Sequence, residues 1–123
     1  MNRSAAREET FKLVYSLEIQ KEDLKEQTEI YLENAEISDE NTKEYMSGIV
    51  EGIEENITAI EGKISENLKK DWKLERISKI NLVLLKLAIY EILYTDYLKI
   101  HHFLFYLLYN YSNLKQILVL VLT

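Results

Sequence analysis

The sequence contains no cysteine and no proline, and only three glycines and two histidines, in 123 residues. Without cysteine there are no disulfides, thiolate metal sites, iron–sulfur clusters or cysteine nucleophiles, and the chain suits a reducing intracellular compartment. Without proline, and with so little glycine, it lacks the turn punctuation of an all-β fold. The histidines, His101 and His102, are adjacent, and helical neighbours point about 100° apart, too far to chelate one metal together. No glycine-rich phosphate loop or nucleophile motif accompanies the many carboxylates. Neither a metal, a cofactor nor an enzymatic activity is therefore expected. The last absence is regional: all 21 acidic residues precede Tyr97, and residues 97–123 contain none.

What is present is charge and helical periodicity. The net charge of −6 combines −8 over residues 1–96 with +2 from Lys99 and Lys115. Such acidity argues against a sequence-blind nucleic-acid coat, because phosphate binding is driven by lysine and arginine releasing counterions. The positions of the few arginines then matter more than the sum. "MNRSAAREETFKL" has no apolar run of the signal-peptide kind, which predicts a cytoplasmic location.

The apolar spacing predicts an all-α protein in a single helical domain. An N-terminal helical part is expected over 1–36, a central and C-terminal helical part over 37–96, and an atypical apolar tail over 97–123. A first helix runs from about Ser4, its expected cap, to Gln20, and a second from about Asp23 to Asn34. "AEISDEN" (35–41) reads as a loop. Tyr45, Ile49, Ile53, Ile57, Ile60, Ile64 and Leu68 then form one apolar stripe on a long helix or a kinked pair. Gly48 and Gly52 in that segment are expected to permit close helix contact. After "KKDWKLERIS" breaks the pattern, Ser78 is placed to cap "KINLVLLKLAIYEILY". That helix is apolar nearly all round, but too short and too charged for a membrane span, so it is expected at the centre of the fold.

One row of residues stands out. Arg3, Arg7, Phe11 and Tyr15 are spaced by four, which on a helix aligns two guanidiniums and then two aromatic rings. Arginine grips phosphate or stacks on bases, and aromatic faces stack unpaired bases, so the row has the chemistry of a single-stranded RNA surface. The structural alternative puts Phe11, with or without Tyr15, in the core and pairs the arginines with Glu8 and Glu18.

Three segments resemble the bacterial transcription antitermination factor NusB family. "ARE..FKLVY" (Ala6, Arg7, Glu8, then Phe11 to Tyr15) is similar to that family's opening signature. "IVEGIEENITAIE" is similar to its middle one at Gly52, Asn56 and Ile60. "WKLERISKINLVLLKLAIYEIL" is similar to the third at Trp72, Leu74, Arg76, Ser78, Leu85, Leu87, Ala88, Tyr90 and Glu91. The resemblance covers residues 3–96. It implies a compact helical bundle of two small subdomains that is not an enzyme and carries no cofactor. It further implies binding of boxA-like single-stranded RNA together with ribosomal protein NusE, and action within the RNA polymerase antitermination complex. Carried over position by position, the RNA surface is Arg3, Arg7 and Tyr15. Two departures accompany it. Only two arginines stand where the family often has four, which implies weaker and less salt-dependent RNA binding. Asn81 stands where the family usually has an acid near its partner-facing surface, making it the candidate partner contact.

The largest departure follows Asp96. The family pattern continues with Pro-Tyr-Lys-Val, an Asn-Glu-Ala helix and a Phe-Val-Asn-Gly-Val-Leu helix, none of which appears in 97–123. Three readings of this tail compete. A membrane segment has the length but carries Asn110, Asn113, Lys115 and Gln116 in its middle. A divergent helix would pack in place of the missing core. A replaced or out-of-register ending accounts best for a segment rich in Leu, Tyr, Ile and Phe without acids. Of its 27 residues, 18 are hydrophobic, enough to make an association-prone patch and to bring a homodimer among the expected partners.

Overall fold

A computed structural model describes residues 3–66 and 77–95. Among these the chain is all-helical, as expected, with α1 (Arg3–Ile19), α2 (Leu24–Asn34), α3 (Glu40–Glu55), α4 (Ile57–Glu66) and α5 (Lys79–Tyr94). Its contacts divide it into two units, Met1–Gly52 and Ile53–Thr123, the division falling inside α3. The expectations for the 97–123 tail, for His101 and His102, and for Trp72, Leu74 and Arg76 lie outside the described residues.

In the first unit α1 buries Ala6, Thr10, Leu13, Val14 and Leu17 along one stripe. Thr10 is fully buried because its hydroxyl has an acceptor within the helix, donating to the Ala6 carbonyl at 2.7 Å. The helix begins at Arg3, so Ser4 lies in its first turn rather than at the cap. After the short 20–23 connection, Asp23 caps α2 by accepting the Glu26 N–H at 3.2 Å. α2 packs on α1, and the Tyr31 hydroxyl donates to Glu9 Oε2 at 2.6 Å across that pair.

The end of α2 is unusual. The Ile37 N–H bonds the Leu32 carbonyl at 3.1 Å and the Glu36 N–H bonds that of Glu33 at 3.0 Å, while Leu32 and Ile37 are both buried. This is a Schellman cap, whose left-handed position is normally glycine because a Cβ is crowded there. Here Glu36 holds it, at φ 57°. Asp39 then opens α3, accepting the Asn41 N–H at 3.1 Å and the Thr42 hydroxyl at 2.9 Å. Those bonds hold its carboxyl below its ordinary pKa, the Thr42 hydroxyl contributing most.

The apolar stripe of α3 differs from the expected row. Ile53 is buried as expected, but Thr42, Met46 and Val50 are buried with it, whereas Tyr45 is exposed and Ile49 half-buried. Tyr45 and Ile49 each lie only about 100° from the buried residue that follows them, and both rows have helical spacing, so periodicity alone does not separate them. Gly48 also differs from expectation: a Cβ built there meets nothing within 4 Å, so no close approach requires it.

The second unit holds the end of α3, then α4 and α5. The kinked-pair alternative is the one realised, with the break at Asn56. Its N–H bonds back to Ile53 at 3.2 Å and its carbonyl accepts from Ile60 at 2.9 Å, so one helix ends and the next begins on the same residue. Asparagine suits such a junction because it is a poor interior helix former. Ile60 and Ile64 are fully buried on α4, which packs on α5. Ser78 caps α5 as expected, accepting the Asn81 N–H at 3.2 Å. From Leu82 to Ile89 every residue of α5 is buried, including Lys86, whose side chain is 4% exposed. Its ammonium meets Glu61 on α4 at 3.3 Å, which makes a buried cation tolerable on an otherwise apolar surface. Tyr90 stacks on Tyr94, with ring centroids 5.8 Å apart. Burial, and secondarily Glu55, raises the pKa of Tyr90.

Two substitutions test this description by chemical denaturation. Glu36→Gly relieves the left-handed crowding against a smaller entropic loss and should stabilise the chain by about 0.5–1 kcal/mol. Gly48→Ala, in open space on a helix, should stabilise by about 1 kcal/mol, and a loss instead would mean that the position is crowded after all.

Candidate nucleic-acid interface

A step of four residues climbs about 6 Å along a helix and turns about 40° around it, so the row from Arg3 to Tyr15 slants over about 18 Å. Taking the buried stripe of α1 as reference, Arg7 lies at its margin, about 75° away, and Tyr15 is nearly opposite, about 155° away. The burial agrees with that slant. Arg7, Phe11 and Tyr15 are half-buried, not core, and Ile19, one step further along the row, is 52% exposed. Phe11 and Tyr15 face each other with centroids 6.3 Å apart and planes inclined by 20°. Neither ring is among the fully buried residues of α1.

The electrostatics favour the row as well. On a helix Arg7 can reach residues three and four away, and these are Arg3, Ser4, Thr10 and Phe11, none of them acidic. The carboxylates of α1 are engaged elsewhere. Lys12 lies 3.7 Å from both Glu8 and Glu9, Tyr31 holds Glu9 at 2.6 Å, and Lys21 pairs with Glu18 at 3.4 Å. Among the described residues Arg7 makes no ion pair and no side-chain hydrogen bond, so the expected competing pairs with Glu8 and Glu18 do not form there. With no partner among the described residues, its five donors suit an outside anion.

Arg3 opens the same helix one step before Arg7. Asn81 belongs to the second unit, in the first turn of α5, where its backbone N–H closes the Ser78 cap and its side chain is half-buried. Sequence reasoning missed Tyr31, because a pairing between helices 22 positions apart leaves no local periodic signal. Among the described residues no group of three or more His, Asp or Glu side chains is arranged to hold a metal ion. Among them, too, no helix is long and apolar enough to cross a membrane.

Comparison with known proteins places this all-helical chain in a family. The profile of the NusB family matches residues 4–103, so the chain belongs to that family. It is similar to the transcription antitermination protein NusB of Ruminiclostridium cellulolyticum, at 46% identity over 96 residues, which are 78% of this chain and 65% of that protein. The protein of the same name from Acetivibrio thermocellus shows the same identity and coverage. That of Clostridium acetobutylicum is 44% identical over 94 residues, 76% of this chain and 68% of that protein. The chain thus spans about 65% of the length of the first two relatives. The family match ends at 103, within the segment whose composition departs after Asp96. No solved structure matches significantly.

The α1–α2 hydrogen bond gives a pH signature. Burial, and then the Glu9 carboxylate, raises the Tyr31 hydroxyl above its ordinary pKa of about 10. A proton held more tightly in the folded state contributes stability that is fully present below pH 10 and is lost as pH rises beyond it. The stability advantage of the unaltered chain over Tyr31→Phe should therefore shrink above pH 10. An advantage constant across that range, measured by urea unfolding, would contradict the assignment.

Proposed function

We propose that this chain is an RNA-binding transcription antitermination factor. The observation that carries the reading is the Arg7 guanidinium, unpaired among the described residues, one step before the stacked Phe11 and Tyr15 rings and outside the buried stripe of α1. Family membership and the role named for the relatives support it. In this reading Arg3 and Arg7 hold phosphates of a boxA-like single strand and Tyr15 stacks on a base. The chain acts in the cytoplasm with ribosomal protein NusE, within the complex that lets RNA polymerase read through terminators. Asn81 contributes to the partner-facing surface. The reading assigns no catalytic step and no cofactor.

Binding to boxA-like RNA, with and without NusE, is measured over a salt series for the unaltered chain and for Arg3→Ala/Arg7→Ala. If each arginine neutralises one phosphate of a single strand, the double variant's slope of log K against log salt should fall by about 1.4, from about 0.7 per contact. Affinity should fall with it. Equal affinity and slope for both proteins would remove the arginines from the mechanism. No binding by either, even with NusE, would leave a helical module that recognises protein alone.

A further inference from the structure

The RNA reading uses Tyr15 as a stacking residue but leaves Phe11 without a task. Phe11 is not a core residue in the sense that Leu13 and Leu17 are. Those are buried on the stripe of α1, whereas Phe11 is half-buried about 115° away around the helix. Its described ring contact is with Tyr15, and the geometry of that contact is specific. Planes inclined by 20° at a centroid separation of 6.3 Å are nearly parallel and offset. An offset parallel pair is a favourable aromatic arrangement and removes rotamer freedom from both side chains before any ligand arrives.

We propose that Phe11 and Tyr15 form a two-ring platform that takes an unpaired RNA base, with Phe11 as the positioning residue that sets the plane of the Tyr15 ring. This rests on the RNA-binding reading above. Nearly parallel rings present faces with a common orientation, so a flat heterocycle laid against Tyr15 continues a stack already begun. Charge on the same row identifies what brings the heterocycle. Arg7 stands one step from Phe11, about 6 Å along the axis, with no acid in helical reach. An anionic group joined to a flat ring by a short linker describes a nucleotide in a single strand, whose phosphate meets Arg7 while its base meets the rings. Within a duplex the base faces are already stacked and closed to such a platform. Because stacking uses the ring face that every base offers, the platform recognises an unstacked ring rather than a particular base.

The division of labour gives the test. Stacking releases no counterions, whereas a guanidinium on phosphate does. Binding of the full chain to the boxA-like oligonucleotide is measured over a salt series for Phe11→Leu, Phe11→Trp and Arg7→Ala, and for oligonucleotides carrying one abasic site at each position in turn. Phe11→Leu should weaken binding by roughly 5- to 100-fold with an unchanged salt slope. Phe11→Trp, which keeps a flat ring, should bind nearly as the unaltered chain does. Arg7→Ala should lower the slope. At one abasic position the penalty of Phe11→Leu should vanish. Several outcomes would overturn the platform: equal binding by Phe11→Leu, a loss as large for Phe11→Trp as for Phe11→Leu, a lowered slope in Phe11→Leu, or a penalty that persists at every abasic position. If Arg7→Ala weakens binding while Phe11→Leu does not, the RNA reading stands and the platform alone falls. If the unaltered chain binds no RNA, both fall together.

Discussion

The mismatch between a four-residue step and the 3.6-residue turn organises the first helix, and the functional reading depends on it. A repeat of four drifts about 40° per step, so a row that starts beside the core ends away from it. Ala6, Thr10, Leu13, Val14 and Leu17 stay on the buried side. Arg7, Phe11 and Tyr15 move progressively off it. The same helix can therefore help to hold a unit together and present an arginine–aromatic row, without one task displacing the other.

Charge on the helix is settled by the same geometry. Three carboxylates lie on α1, and each meets a partner that leaves Arg7 alone: Glu8 and Glu9 with Lys12, Glu9 also with Tyr31, and Glu18 with Lys21. Pairs whose lysine is solvated, as Lys12 and Lys21 are, add little stability, on the order of 0–1 kcal/mol each. Their consequence is electrostatic rather than energetic. They occupy the acids near a guanidinium that has no acceptor among the described residues, in a chain whose net charge is −6.

Family motifs and the candidate interface turn out to have different physical origins. Asn56 is the junction of α3 and α4, Ser78 caps α5, and Leu85, Leu87 and Ala88 are buried in it. These residues identify the family because they build the fold. Lys86 belongs to the same helix and is held by Glu61 from α4, a pairing that a list of polar positions in "KINLVLLKLAIYEILY" did not reveal. Arg7 and Tyr15, by contrast, do not belong to the buried core, and only the opening signature touches them.

The sequence by itself determined the helical class, the cap at Ser78, the buried character of α5 and the family, because these follow from local periodicity, side-chain chemistry and spacing. It also aligned Arg3, Arg7, Phe11 and Tyr15, since helical geometry is the same in every protein. Tertiary structure decided what local rules leave degenerate. It chose the Thr42, Met46 and Val50 row over the neighbouring Tyr45 and Ile49 row, gave Gly48 open space, and put Glu36 in a glycine's conformation. It also joined Glu9 of α1 to Tyr31 of α2. Each of these depends on what packs or pairs around a residue, and the period of a single helix carries only part of that information.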